Sequence, residues 1–247
     1  RLEEQLDKKL FLKYGRELQL SDDGLKLLSY ARRITKLHDE ALGVMSSETG
    51  SRPLMLGCPD DYVTGVLPQL LSEIQLQIPG LQVQVRTGTS AQLRALIDQG
   101  ALDLTILTRR PETEEGYLLL QDQGVWVAPT ADFMKPDQPL RLALVDADCK
   151  FHSTAVDGLS KQGRNFEVIC ISGSCALLIE LVRRGEGMTT LASCCVPEDL
   201  YRLPVELGLP ELATVAVVLQ SAARPHKALG TDRIVSLVEE TALRLSV

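Results

Sequence analysis

Two short runs in this 247-residue chain carry the residue types of a small-ligand cradle. One reads Thr87-Gly88-Thr89-Ser90-Ala91 and the other Ser172-Gly173-Ser174-Cys175-Ala176. Each sets a glycine among hydroxyls just ahead of a helical pattern, where N-caps belong. Leu93, Leu96 and Ile97 mark the first helix, and Leu178, Leu181 and Val182 the second. Gly100 and Gly185 close them at the same offset. An alternating strand pattern enters each unit, over residues 81–85 and 166–171. The chemistry open to such units is non-covalent. Unpaired backbone N–H groups and the positive helix end would face a small polar or anionic ligand. Taken singly, glycine and serine before a helix are ordinary punctuation. The pairing points to two related α/β lobes.

Covalent chemistry fits less well. The only histidines are His38, His152 and His226, and none has an evident partner. No nucleophile elbow, phosphate-cradling P-loop or HExxH helix appears, so an enzyme is not expected, although a site assembled in space stays open. The six cysteines are Cys58, Cys149, Cys170, Cys175, Cys194 and Cys195, and no CxxC pair is present. Cys149-x-x-His152 is too thin for zinc, which needs about four ligands. Structural thiols in a reducing cytoplasm are expected, with no metal and no cofactor. A redox role is the other reading of these thiols.

With 45% hydrophobic residues the chain can bury sizeable cores, and with 4% aromatics Leu, Val, Ala and Ile must fill them. The net charge is −7, from 26 basic and 33 acidic residues, which argues against a surface that is basic all over. Residues 1–50 are charge-balanced, so the acidic excess lies downstream. A neutral front can touch phosphate while an acidic body stays off it. No run approaches the ~20 apolar residues of a membrane span, and no signal-peptide pattern opens the chain. The chain starts at Arg1 without a methionine, so a preceding segment is expected.

Residues 1–6 read as the last turns of a helix, followed by Leu10-Phe11 and a polar ribbon to residue 20. Ser21 is a plausible N-cap for a helix running to about Met45. Its apolar face, Leu27, Tyr30, Ala31, Ile34, Leu37, Ala41 and Val44, steps by threes and fours as a heptad-like seam. Such a seam needs a partner helix, so a dimer is expected; packing on its own domain is the alternative. Residues 46–51 form a polar hinge. Beyond it, strands at 54–58, 103–107, 124–128, 140–145 and 214–219 alternate with helices, favouring largely parallel sheets. Pro68 belongs in the first turn of a helix carrying Leu67, Leu70, Leu71 and Ile74, and a final helix spans 231–245.

The front segment resembles the LysR-type transcriptional regulators. Leu2-Glu3-Glu4-Gln5-Leu6 with Leu10-Phe11 looks like the end of that family's recognition helix and the start of its wing. Residues 16–20 and Ser21-x-x-Gly24 look like the wing and the capped start of the linker helix, which Tyr30-Ala31-Arg32-Arg33-Ile34 continues. Downstream, Leu67-Pro68, Pro79-Gly80, Gly100-x-Leu102-Asp103 and Gly185-x-Gly187 fit its effector domain. Gly57-Cys58-Pro59-Asp60-Asp61-Tyr62 resembles the subgroup controlling motility and virulence. The resemblance spans essentially the whole chain.

The resemblance implies an α/β, bilobed, periplasmic-binding-protein-like effector domain behind the remnant of a winged helix-turn-helix and a long linker helix. The expected divisions are 1–20 for the winged remnant, 21–46 for the dimerising helix and 47–52 for the hinge. Lobe I takes 53–128 with 214–247, and lobe II takes 129–213. Base-reading residues would lie mostly before Arg1. The remaining DNA-backbone candidates are Arg1, Lys8, Lys9, Lys13 and Arg16, with Lys13 where the family usually has arginine. A cleft ligand should meet strand C-ends and helix N-ends. Asp61, Thr89, Ser90 and Thr108 are expected from lobe I, and Phe151, Ser172 and Ser174 from lobe II. The hydroxyls suit a carboxylate and Phe151 an apolar part, whereas Asp61 would select an amine or cap its helix. The implied protein is a cytoplasmic homodimer or homotetramer that binds double-stranded DNA through its full-length head and senses a small metabolite. A transport solute-binding protein and a thiol-based redox-sensing regulator are the alternatives.

Overall fold

A computed structural model describes residues 2–14, 17–28, 30, 31, 34, 52–135 and 138–245. The chain forms two compact units, residues 1–51 and 52–247.

In the first unit, helix α1 (Leu2–Leu6) leads into a hairpin of β1 (Phe11–Tyr14) and β2 (Glu17–Leu20). Glu3 ties the two parts, its carboxylate accepting the N–H groups of Leu10 at 2.7 Å and Phe11 at 3.1 Å. Those hydrogen bonds hold its carboxyl below the ordinary range. Ser21 is the N-cap expected of it, accepting the Gly24 N–H at 3.0 Å. Helix α2 follows, described at residues 22–28, 30, 31 and 34. A Cβ at Gly24 would collide with the Leu10 carbonyl, so the helix start and the hairpin approach through a glycine. Along the expected seam, Tyr30, Ala31 and Ile34 are exposed and Leu27 is half-buried. Leu37, Ala41 and Val44 lie outside the described residues, as does the hinge apart from Arg52.

The second unit opens with β3 (Leu54–Cys58), buried along nearly its whole length. β3 pairs in parallel with β4 (Val83–Thr87) and β5 (Leu104–Thr108). β5 pairs antiparallel with β11 (Thr214–Ser221), and β11 pairs antiparallel with the first half of β6 (Tyr117–Ala128). The second half of β6 pairs antiparallel with β9 (Thr189–Ala192) and β10 (Tyr201–Arg202). β7 (Leu140–Leu144) and β8 (Phe166–Ile171) form a separate parallel pair. The sheets are therefore mixed rather than largely parallel. The correction comes from β6 and β11, which run back along the sheet instead of continuing the strand–helix alternation.

Five helices cover these sheets: α3 (Leu67–Gln77), α4 (Ser90–Asp98), α5 (Lys150–Lys161), α6 (Cys175–Arg183) and α7 (Thr231–Leu245). Pro68 sits in the first turn of α3, where its missing N–H costs nothing. α3 and α7 bury Leu70, Ile74, Ile234 and Leu237 in one core with β3, β5 and β11. α4 closes a smaller core through Leu93 and Ile97. On the other side, α5 buries Ala155 and Leu159 against Trp126 and Leu142. α6 buries Cys175, Leu178, Ile179 and Val182, a helical i, i+3, i+4, i+7 face. The two repeated runs thus become two strand–turn–helix units, β4–α4 and β8–α6. Gly100 and Gly185 end them at φ +74° and +71°, a backbone that favours glycine.

Candidate functional site

Short turns after β3, β5 and β7, the first turns of α4 and α5, and Gly173 ahead of α6 line a cavity of about 460 Å³. Its lining includes Asp61, Thr89, Ser90, Thr108 and Phe151, five of the seven positions expected from sequence. Ser172 and Ser174 are not among the lining residues, although Gly173 between them is.

The hydroxyls of the first wall are already engaged. Thr89 Oγ1 accepts the Gln92 N–H at 3.3 Å, and Gln92 Oε1 accepts the Thr89 N–H at 3.0 Å, a complete capping box. Ser90 Oγ accepts the Thr108 N–H at 3.2 Å, and Thr108 Oγ1 lies 2.7 Å from the Tyr62 hydroxyl. Burial pushes that phenol well above its usual range. Together these bonds fix the α4 end to β5 and to the turn after β3.

Charges line the cavity from both sides. Asp60, Asp61, Asp146 and Asp148 are acidic, and Arg94, Arg109, Arg110 and Lys150 are basic. Two of the arginines are spent internally. Arg94 forms a fork onto Glu115 at 2.9 and 2.6 Å and also donates to the Ser90 and Thr108 carbonyls. Arg109 donates to the Glu115 and Gly116 carbonyls. Asp61 is held by far less: the Cys175 thiol donates to its Oδ1 at 3.4 Å. Burial raises its carboxyl pKa above the ordinary range, partly offset by that thiol, and the neighbouring Asp60 and Asp148 add to the rise.

The second wall departs from the sequence expectation at its helix cap. Ser174 occupies the N-cap position of α6 but makes no side-chain cap bond, and the Ser172 hydroxyl accepts only the Ser174 N–H. The Cys175 N–H donates instead to Asp60 Oδ2 at 2.5 Å. Asp146 faces the same turn, its Oδ2 3.0 Å from where a Cβ would stand on Gly173. Phe151 lines the cavity yet is 4% exposed, lying against Gly124 and belonging to the core built on β3, β5 and β11, so it is as much core as wall.

Asp60, Arg94 and Asp146 were not singled out from sequence. Asp146 could have been found, because it follows the β7 strand just where ligand-facing residues collect. Arg94 gave no signal, since its partner Glu115 lies in a later loop. His152 is a structural residue, its Nδ1 2.6 Å from the Val145 carbonyl. Among the described residues, no group of three or more His, Cys, Asp or Glu side chains is placed to hold a metal ion.

The cysteines are all free. Burial pushes Cys149 up to about 11, and burial with nearby carboxylates pushes Cys58 and Cys175 higher. Cys194 and Cys195 stand with sulfurs 3.5 Å apart, and that contact, with burial, raises Cys194 strongly. A thiol at about 11 is roughly 0.1% thiolate at pH 8, and the thiolate is the reactive form. Iodoacetamide at pH 8 is therefore expected to label Cys149 at least about 100-fold more slowly than a free thiol of ordinary pKa. Peptide mass spectrometry after timed quenching reads this, and labelling at the free-thiol rate would contradict the burial argument.

In the first unit, Lys8 pairs with Asp23 at 3.7 Å, and Lys9 and Lys13 are exposed. Arg1 and Arg16 lie outside the described residues.

The chain and its fold have clear relatives. Residues 47–231 match the family model of the LysR substrate binding domain. The HTH-type transcriptional regulator DgdR of Burkholderia cepacia is 33% identical over 220 residues, covering 89% of this chain and 75% of that protein. The HTH-type transcriptional regulator PecT of Dickeya dadantii is 28% identical, covering 86% and 67%. Among solved structures, the regulatory domain of HypT from Salmonella typhimurium, in its apo form, has a TM-score of 0.63 at 14% identity. It covers 80% of this chain and 99% of that one. The oxidised form of OxyR from Corynebacterium glutamicum has a TM-score of 0.51 at 18% identity, covering 99% and 81%. These two likenesses concern the fold. On the family match and the DgdR identity, the chain belongs to the LysR family of transcriptional regulators.

Proposed function

We propose that the protein is a cytoplasmic, ligand-responsive DNA-binding regulator that reads a small metabolite in the cavity between β3–α4 and α5–α6. The observation that carries this reading is the cavity itself: about 460 Å³, bordered by strand C-ends and helix N-ends, inside the segment matched to a substrate-binding domain. DNA contact would come from the first unit of each protomer, with exposed Tyr30, Ala31 and Ile34 meeting their symmetry mates in a homodimer or homotetramer. Among the described residues no helix is long and apolar enough to cross a membrane. The reading assigns no catalytic step to the cavity.

The wall chemistry favours an effector that carries an amine. Arg94 and Arg109 are neutralised or bonded internally, which leaves Asp61, Asp146 and Asp148 facing the cavity with little to balance them. An ammonium group beside Asp61 would restore that balance, and Lys150 or Arg110 could take a carboxylate at the other end. A small ampholyte meets both conditions.

The test is a DNA-binding titration of the full-length protein on its own upstream region, at two salt concentrations and across a panel of amino acids. Salt-sensitive binding that one panel member shifts is expected. Asp61→Asn should weaken the response to that member by at least about tenfold, since one charge-assisted hydrogen bond is lost, while leaving basal DNA binding intact. Absence of salt-sensitive binding to any genomic fragment would end the reading.

Thiol-based redox sensing is the second reading, favoured by the adjacent Cys194 and Cys195. Mild peroxide followed by mass spectrometry separates the two, because the redox reading requires one specific disulfide.

A further inference from the structure

We infer that Asp60 is a built-in ligand of α6, and that it latches the two walls of the cavity together when no effector is bound. The inference concerns regulation of the site read above and rests on that reading. Helix α6 leaves its first turn without a cap of its own, because the Ser174 side chain makes no cap bond. The Cys175 N–H is satisfied from the opposite wall, by Asp60 Oδ2 at 2.5 Å and across a sequence separation of 115. Asp61, next in the chain, engages the same residue by accepting from its thiol at 3.4 Å. Both carboxylates stand on the single-turn helix Asp60–Tyr62 directly after β3, so two contacts reach α6 from one rigid point.

The matching unit behaves differently. α4 caps itself through Thr89 and Gln92 and needs nothing from across the cavity. One repeat is therefore self-contained, while the other is completed by a carboxylate from the turn after β3. That carboxylate sits where a helix end favours an anion, through both its free N–H groups and its dipole. Tyr62, anchored to Thr108 at 2.7 Å, keeps the turn from drifting away from β5.

The latch converts occupancy into movement. A cationic group drawn to Asp61 pulls the neighbouring Asp60 carboxylate from the α6 N–H. An anionic group at the same helix end competes with it directly. In either case the state in which Asp60 caps α6 binds effector less well than the state in which it does not, and that difference is what a ligand needs to shift a population.

The experiment measures the distance between spin labels on ketone-bearing residues placed at exposed Leu76 on α3 and Lys161 on α5, in the full-length protein without effector. Wild type should give one dominant distance. Asp60→Ala should add a longer component, its population raised roughly tenfold or more, as loss of a charge-assisted bond implies. Asp60→Asn keeps an acceptor but drops the charge, and should add a smaller fraction of the same component. It also serves if the alanine variant folds poorly. Distance distributions in both variants that superimpose on wild type would overturn the latch. Failure of the effector-site reading looks different: no panel ligand would alter the wild-type distances, while Asp60→Ala would still lengthen them.

Discussion

Arg94→Ala is expected to destabilise the second unit by about 3–5 kcal/mol, the usual cost of removing one partner from a buried ion pair. In a protein of this size that is a fall in thermal midpoint on the order of 10 °C. The effect is large because Arg94 serves four acceptors at once. Its guanidinium spans both Glu115 oxygens and reaches the Ser90 and Thr108 carbonyls, with side-chain exposures of 11% and 18% across the pair. Truncation strands the Glu115 charge and frees the α4 end that forms one wall of the cavity, so effector affinity should fall with stability. Acid should expose the same pair. Burial alone would raise the Glu115 carboxyl, but the hydrogen bonds from Arg94 and the Arg110 N–H hold it below the ordinary range. A depressed folded-state pKa gives stability that is complete above the unfolded value and lost as pH falls through the folded one. Wild type should therefore lose stability on acidification below the usual carboxylate range, and Arg94→Ala should show a flatter acid limb. Calorimetric melting over that pH range measures both, and equal slopes would refute the assignment.

Asp103→Ala is expected to cost about 3–4 kcal/mol, read as a lower urea midpoint at unchanged slope. Asp103 is 3% exposed. It accepts both Arg52 nitrogens, at 2.8 and 2.6 Å, and the Met55 N–H at 2.8 Å. Its backbone also bonds Met55 and Ala222, so a single residue joins the starts of β3 and β5 to the end of β11. The partner should matter less. The Arg52 side chain is 54% exposed, which screens its charge, but its loss leaves the buried Asp103 carboxylate with the Met55 N–H alone, so Arg52→Ala should cost about 1–3 kcal/mol, less than Asp103→Ala. A ranking in which Arg52→Ala costs as much as Asp103→Ala would show that the ion pair dominates, rather than the buried acceptor beneath it.

Much of this architecture can be read along the chain, and what cannot depends on distant partners. Local signals work where the physics is local. Alternation marks β4 and β8, helical spacing marks α7, and glycines at positive φ end both repeated helices. Thr89 is recognisable as a cap because its partner, Gln92, is three residues away. Ser174 looks the same in sequence but is supplanted by Asp60 from far upstream. The first half of β6 is hidden for a similar reason. Gln121-Asp122-Gln123 breaks the apolar pattern, yet Asp122 is 8% exposed because it accepts the Cys194 N–H at 2.9 Å. Helix α5 escapes notice because only Phe151, Ala155 and Leu159 face inward, four residues apart among polar neighbours. For the site, following strand ends located five lining positions. The balance of charge along the cavity is not legible in sequence, because Arg94 and Arg109 are bonded to Glu115 and Gly116, partners that lie outside any local motif.

The long strand β6 changes neighbours at its middle. Up to Gln123 it lies beside β11, and from Gly124 onward beside β9 and β10. The chain returns at that same point, with the Gly124 N–H bonded to the Ala213 carbonyl and Gln123 facing Thr214. The excursion between them thus leaves and re-enters through adjacent residues of one ladder. A change of length inside residues 125–212 would therefore leave the register of β3, β5 and β11 untouched, because the excursion begins and ends on neighbouring rungs of that ladder.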